Sequence, residues 1–175
     1  MGTRIARDVA VVVLVHLAAA SAIGLLLPHL ADLPDAVRAA DGVTTSEVEL
    51  GKQFNDDGWL IVLGGVAGLV LGLVLQAWRR AHEVVTLAAI AVTALLAALL
   101  AAWIAGATGP ADPVGVLADA AEGARAPMRV EIESRVAYLV WPLAAVAGAL
   151  VALLAPPSGP EGTKRPVDAS DRGHA

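Results

Sequence analysis

Four stretches of the chain contain no Asp, Glu, Lys or Arg and are long enough to cross a membrane as helices. They cover residues 9–27, 58–78, 84–105 and 138–154. A bilayer core about 30 Å thick is crossed by about 20 apolar helical residues. A helix also satisfies every backbone polar group within one segment. The sequence therefore predicts an all-α integral membrane protein, with residues 1–155 forming a bundle of four transmembrane helices.

The overall composition agrees with a membrane protein. Apolar residues (AVILMFWYC) make up 57% of the 175 residues and charged residues only 17%, whereas soluble domains average about 25% charged residues. The mean hydropathy is +0.69. The chain has no Cys, which excludes a disulfide scaffold. Its net charge of −5 offers no basic patch for phosphates, so we expect no nucleic-acid partner.

The charges between the spans predict the orientation of the chain. Basic residues flank one side of the four spans: Arg4, Arg7, Arg79, Arg80, Lys164, Arg165 and Arg172. The two long loops, residues 28–57 and 106–137, hold most of the acidic residues. Because Lys and Arg near span ends stay in the cytoplasm, we expect a plasma-membrane protein with both termini inside and both loops outside. Residues 156–175, rich in Pro, Gly and charge, are predicted to be a disordered cytoplasmic tail.

The first span has a second interpretation as a secretory signal. Arg4 and Arg7 precede an apolar run, and Ala20-Ser21-Ala22 matches the small-residue pattern of a cleavage site. The apolar run, however, continues to Leu27, beyond the usual length of such a signal. We favour an uncleaved span, and cleavage would leave the topology of the later spans unchanged.

The two outer loops are predicted to contain similar short elements in the same order. Residues 33–40 and 113–122 are predicted to be short helices, and residues 43–50 and 128–132 to be strands. The strands would pair into a small two-stranded sheet. This order, together with the similar sequences of the second and fourth spans, suggests a tandem repeat of span, loop and span. Apolar text of low complexity also produces such similarity by chance.

Small residues recur at every fourth position in two of the spans. Such a stripe lets two helix backbones approach closely. The contact would join the two spans within one chain, which is the simpler interpretation, or two copies of the chain. The predicted helix-packing residues are Gly64, Gly68 and Gly72 in the second span and Ala144, Gly148 and Ala152 in the fourth.

His16 is the ionisable residue that lies deep in a span. An ionisable group inside a membrane is a candidate for function by default. A neutral imidazole hydrogen-bonded to Ser21, Thr86, Thr93 or a carbonyl of a neighbouring helix is the simpler expectation, because neutral His both donates and accepts.

Asp56 and Asp57 place two carboxylates where the first outer loop meets the second span. Such oxygens could bind Ca²⁺ or Mg²⁺, but the spacing of an EF-hand is missing. We expect instead that they favour the positive end of the following helix. The chain also carries no Walker sequence, dinucleotide fingerprint, nucleophile elbow or His-Glu-x-x-His. We therefore expect no catalytic site, no cofactor and no metal.

Several short motifs resemble one family of membrane proteins. The most distinctive are Trp78-Arg79-Arg80 and Trp141-Pro142-Leu143-Ala144-Ala145, together with Phe54-x-x-Asp57-Gly58-Trp59. Over residues 9–154 the chain resembles a family of small four-span actinobacterial proteins known only as a domain of unknown function. The preference for Arg over Lys, typical of GC-rich genomes, agrees with that source. The resemblance implies a location and an architecture but no activity.

These features favour a non-enzymatic accessory or assembly subunit of the cell envelope. Its partners would be the lipid bilayer and other membrane proteins, or a second copy of the chain. The alternative is a small transporter or channel that works as an oligomer, with His16 on its polar path. The lack of acidic and basic residues in the spans counts against this alternative. A third interpretation, an enzyme acting on a lipid or glycan, depends only on Asp56 and Asp57.

Overall fold

Four long helices dominate the structure, a computed structural model that describes residues 2–52, 54–79 and 82–155. The predicted tail, residues 156–175, lies outside the described residues. The elements in chain order are α1 (Gly2–Leu30), β1 (Asp35–Ala39), β2 (Gly42–Thr45), α2 (Glu47–Leu50), α3 (Asn55–Trp78), α4 (Glu83–Thr108), α5 (Pro113–Val116), β3 (Arg125–Pro127) and α6 (Arg135–Leu154).

The four predicted spans are confirmed as helices. Helices α1, α3, α4 and α6 are each long and apolar enough to cross a membrane. All four extend beyond the charge-free stretches of the sequence. Helix α1, for example, passes through Pro28 and ends at Leu30, and α6 begins at Arg135, before the predicted span. The charge-free stretches therefore give the C-terminal ends of α3 and α6, at Trp78 and Leu154, but not the other helix ends.

The long helices form two parallel pairs. Helix α1 packs mainly against α4, and α3 packs mainly against α6. Gly24, late in α1, faces Ala101 and Ile104, late in α4, so these two helices run in the same direction. In α3 and α6, Gly64 faces Trp141 and Leu69 faces Gly148, which again is a parallel arrangement. Equivalent helices of the two chain halves are thus neighbours.

The bundle has two distinct ends. At the loop end, α1 and α4 finish, α3 and α6 begin, and both long loops are found. At the turn end, a short connection joins Trp78 of α3 to Glu83 of α4. The loop end carries a three-stranded antiparallel sheet with the order β2-β1-β3. Ala36 of β1 pairs with Thr45 of β2 and with Ala126 of β3, so both loops contribute to one sheet.

The predicted elements of the first loop were partly wrong. Residues 33–40 contain strand β1 instead of a helix. Ala40 and Asp41 form the turn of a β-hairpin. Gly42, the first residue of β2, has a φ of +149°, which favours glycine. Residues 43–50 begin in β2, as predicted, but the chain turns at Ser46 into α2. The Ser46 hydroxyl accepts the N–H of Glu49 and so caps that helix.

The second loop also differs from its prediction. Helix α5 covers only the first turn of residues 113–122. Strand β3 lies at Arg125–Pro127, and residues 128–132 have no regular secondary structure. The sheet therefore has three strands rather than the predicted two. A small core of Ala36, Leu117 and Ala126 packs the sheet against the residues that follow α5.

A carboxylate pairs with a backbone N–H of β1 at the point where β2 has ended. The last residue pair of the two strands is Ala36 with Thr45, so Asp35 has no partner in β2. The Glu49 carboxylate accepts the N–H of Asp35 at 3.0 Å and lies 3.2 Å from the Lys52 ammonium. The Asp35 N–H, and then the Lys52 ammonium, hold the pKa of Glu49 below its usual range. This side chain therefore fixes the hairpin to α2.

Candidate functional site

The glycines of α3 lie in the contact with α6. Gly64, Gly68 and Gly72 are all buried. A Cβ added to Gly68 would lie 2.5 Å from the carbonyl oxygen of Trp141, and one added to Gly72 would overlap the backbone of Ala145. Backbones at this distance gain dense van der Waals contact, which side chains would prevent.

The stripe of α6 is used differently from the prediction. Gly148 is buried, and a Cβ there would overlap the carbonyl oxygen of Leu69. Ala152 is also buried, but Ala144 is only half-buried. The residue that faces Gly68 and Gly72 is Ala145, one position later. The contact surface of α6 is therefore rotated from the one that residue spacing suggests.

Trp141 fills the space that the glycines leave open. Its side chain is 1% exposed and lies against Gly64 and Gly68. The ring is thus part of the core, whereas its sequence position at a span end is typical of an aromatic anchor. Trp78 and Trp103, by contrast, are largely exposed at the turn end and the loop end.

His16 is buried in the middle of α1, with 1% of its surface exposed. Its Nδ1 donates to the carbonyl of Val12 in the same helix, at 2.9 Å. Ser21 and Thr93 donate instead to carbonyls of their own helices. Thr86 donates to the carbonyl of Arg79. The ring is therefore bonded to a carbonyl of its own helix instead of to Ser21, Thr86, Thr93 or a neighbouring helix, and its Nε2 is unpaired among the described residues.

Asp56 and Asp57 are buried in the first turn of α3, at 3% and 4% exposure. One oxygen of Asp56 accepts the backbone N–H of Glu131 at 3.2 Å, and one oxygen of Asp57 accepts that of Ser134 at 3.1 Å. The other oxygen of each carboxylate has no hydrogen-bond partner in the described chain. The two side chains thus hold the segment that leads into α6.

The turn end contains a polar cluster that was not among the predicted sites. Asp8 of α1 pairs with Arg79, and both side chains are largely buried. The Arg79 guanidinium also lies 4.7 Å from the ring centroid of Trp78. Gln76 is fully buried and donates to the carbonyl of Glu83 at 3.4 Å. Arg79 is therefore committed to a contact within the chain, and Arg80 lies outside the described residues.

A cavity of about 340 Å³ opens at the loop end, between α4, the start of α6 and residues 129–132. Arg129, Glu131 and Tyr138 line it on one side, and Leu99 and Trp103 on the other. Arg129 Nε donates to the carbonyl of Gly106 at 3.3 Å, and Gly106 itself has no side chain that would block this approach. The cavity therefore combines both signs of charge with an apolar wall.

Sequence reasoning missed these residues for identifiable reasons. Arg129 and Glu131 lie in a stretch that was predicted to be a strand, in which they would form the polar face. Asp8 and Arg79 could have been paired from the sequence, since they carry opposite charges at the same predicted membrane boundary. Gln76, the single side-chain amide in the four spans, was also a signal of a buried contact.

Among the described residues, no three His, Cys, Asp or Glu side chains form a group that could hold a metal ion. The chain matches no protein-family model, and no curated protein or solved structure shows significant similarity to it. The resemblance of residues 9–154 to a family of small four-span proteins therefore stays a prediction.

Proposed function

We propose that the chain is a multi-pass protein of the plasma membrane and a non-enzymatic accessory or assembly subunit of the cell envelope. Apolar side chains that are exposed outside the four long helices carry this proposal. Val48 of α2 is 80% exposed, and Phe54, just before α3, is 68% exposed. Val114 and Val116 of α5 are exposed as well. Apolar side chains of this kind, on a small folded layer beside a membrane, are typical of a protein contact.

The polar groups inside the bundle support a structural role. Asp56 and Asp57 bind loop N–H groups, Asp8 binds Arg79, and Gln76 binds a carbonyl of α4. Each of these groups contacts another part of the same chain. The glycines of α3 are likewise occupied by α6. A partner would therefore meet the loop layer or the lipid-facing sides of the helices.

Co-purification in mild detergent tests the accessory role. We expect the wild-type chain to retain a specific membrane protein, identified by mass spectrometry, and a Val48→Ser, Phe54→Ser double variant to lose at least about nine-tenths of it. Glu47→Gln, an exposed change on the same short helix, is the matched control and should keep the partner. A wild-type chain that runs alone as a monomer would contradict the proposal. Retention of a second copy would identify the partner as the chain itself.

Cysteine labelling tests the orientation, because the chain contains no Cys of its own. Thr44 is exposed at the loop end, and Ala155 is exposed at the other end of α6. A maleimide that cannot cross membranes should label Thr44→Cys in intact cells, and should label Ala155→Cys only after permeabilisation. The opposite pattern would invert the proposed orientation.

A transporter or channel that works as an oligomer is the second candidate, because Nε2 of His16, in the middle of the bundle, has no partner within the described part of the chain. Proton or solute flux into vesicles that contain the protein would support it, provided that His16→Leu abolishes the flux. Flux at the level of empty vesicles would exclude it. His16→Leu with unchanged partner binding and unchanged or higher stability would show that the ring is only a packing residue.

A further inference from the structure

The loop-end cavity has a wall that two buried carboxylates hold in place. Asp56 and Asp57 fix the backbone at Glu131 and Ser134. In residues 129–132 the side chains alternate between exposed and buried. Val130 is buried and Ile132 half-buried against the main core, while Arg129 and Glu131 are exposed. Arg129 and Glu131 thus place a cation and a carboxylate, two residues apart, on the exposed side of this segment, and Val130 and Ile132 complete the same wall of the cavity.

The opposite wall of the cavity belongs to α4. Leu99 and Trp103 are both exposed on this helix, one turn apart, and Gly106 follows near its end. In a membrane-spanning bundle, an exposed Trp close to a helix end lies at the level of the lipid headgroups. The cavity therefore spans the boundary between the headgroups, at Arg129 and Glu131, and the acyl chains, at Leu99.

The charges of the cavity select between lipid headgroups. Arg129 is the cation among the lining residues. In a membrane-spanning bundle it would lie at the level of the lipid phosphates, near Trp103. Glu131 lines the same cavity, and Asp56 and Asp57 lie behind it. An anionic headgroup would meet this excess of carboxylates. A headgroup with one phosphate and one primary ammonium matches both charges, since an ammonium donates N–H groups that a carboxylate accepts.

We propose that this cavity binds a phosphatidylethanolamine-type lipid. Arg129 holds the phosphate, Glu131 accepts from the ammonium, and an acyl chain lies along Leu99 and Trp103. The volume of about 340 Å³ lies at the lower end of the range for small-ligand sites, about 300–1,000 Å³, as expected for a headgroup whose chains stay in the bilayer. This proposal rests on the proposed insertion of the four helices into a membrane.

Lipid competition followed by native mass spectrometry tests the site. The delipidated protein is mixed with equal amounts of dioleoyl phosphatidylethanolamine, phosphatidylcholine and phosphatidylglycerol. We expect phosphatidylethanolamine to be retained about tenfold over either competitor, which corresponds to about 1.4 kcal/mol. Glycerophosphoethanolamine, which has no acyl chains, should not displace it at equal concentration. Displacement by that compound would mean that the site takes the free headgroup rather than the lipid.

Charge variants separate the two contacts. Arg129→Gln and Glu131→Gln should each remove most of the preference, and Glu131→Lys should shift it towards phosphatidylglycerol. Glu131→Gln keeps the backbone N–H that Asp56 accepts, so it remains informative if Arg129→Gln fails to fold. The matched controls are Arg125→Gln and Glu122→Gln, which are exposed in the same loop away from the cavity and should behave as wild type.

Alkaline carbonate extraction of membranes distinguishes failure of the site from failure of membrane insertion. If the protein is released, both proposals are wrong. If it stays in the membrane but retains the three lipids equally, or if the control variants lose the preference as strongly as Arg129→Gln, only the headgroup site is wrong.

Discussion

The carboxylate of Asp56 accepts the backbone N–H of Glu131, which lies 75 residues further along the chain. The bond joins the first turn of α3 to the segment before α6, and the neighbouring bond from Ser134 to Asp57 repeats the link. Side chains from the first half of the chain thus determine the path of the second loop. This path in turn forms one wall of the loop-end cavity.

Removing the Asp56 carboxylate should destabilise the loop end. Asp56→Ala removes the acceptor of the Glu131 N–H, and because this bond is only part-buried we expect a cost of about 1 kcal/mol, the lower end of the range for a buried unpaired donor. Asp56→Asn keeps an oxygen in place and should cost less. Thermal unfolding in detergent and amide exchange at Glu131 measure the two effects. Asp41→Ala, an exposed change in the other loop, is the control. Equal effects of the Asp56 and Asp41 variants would contradict the assigned role.

Adding a methyl group to the α3 stripe should loosen the contact with α6. Gly72→Ala places a Cβ against the backbone of Ala145, and backbone cannot rotate away as a side chain can. We expect a loss of about 1–3 kcal/mol of stability, the usual cost of overpacking. Gly58→Ala in the same helix meets nothing within 4 Å and should be neutral or stabilising. Indistinguishable melting curves for the two variants would refute the close approach of the helices.

Breaking the ion pair at the turn end should cost more than breaking one at the surface. Asp8→Ala leaves the Arg79 guanidinium largely buried without its partner, a situation that costs about 3–5 kcal/mol when burial is complete. Because both side chains keep some exposure, we expect a value at or below the lower limit. Asp32→Ala removes an exposed partner of Lys52 and should cost about 0–1 kcal/mol. A double-mutant cycle with Arg79→Ala measures the coupling, and a coupling near zero would contradict the pairing.

Acid should release the contact between Glu49 and the sheet. The pKa of Glu49 is lowered in the folded chain from its ordinary value of 4.5, so its stabilising effect is complete above that value. The effect is then lost as the pH falls through the lower, folded-state pKa. Amide exchange at Asp35, followed against pH, should accelerate in that window. Glu49→Gln should flatten the profile, and Lys52→Met should move it towards higher pH. A wild-type profile without an inflection in that window would contradict this role.

The long helices could be predicted from the sequence because their signal is the absence of charge, which does not depend on neighbours. The small elements of the loops depended on contacts that no local pattern reveals. Residues 35–39 alternate weakly and carry Ala and Arg, which suit a helix equally well. They form β1 because a partner strand lies on each side, and one partner comes from the other loop.

The candidate site residues also divide into those that a local pattern could predict and those that depended on tertiary contacts. Spacing identified the glycines of α3, since a four-residue repeat marks one helix face regardless of what packs there. It selected Ala144 in α6, whereas the contact uses Ala145, because the rotation of a helix about its axis is set by its partner. The sequence drew attention to Asp56 and Asp57 as carboxylates. That they accept distant N–H groups could be predicted only once the path of the second loop was known. Arg129 and Glu131 became a pair only once that path was known.

The parallel pairing of α3 with α6 has a consequence for synthesis. When α3 emerges, the helix that will cover its glycines has not been made, so α3 at first exposes an open groove of backbone. Strand β1 likewise lacks one of its two partner strands until β3 has been synthesised. The first half of the chain is therefore not an independently assembling unit. A gene cut between α3 and α4 should yield two fragments that are each degraded, and that survive only when both are produced in the same cell.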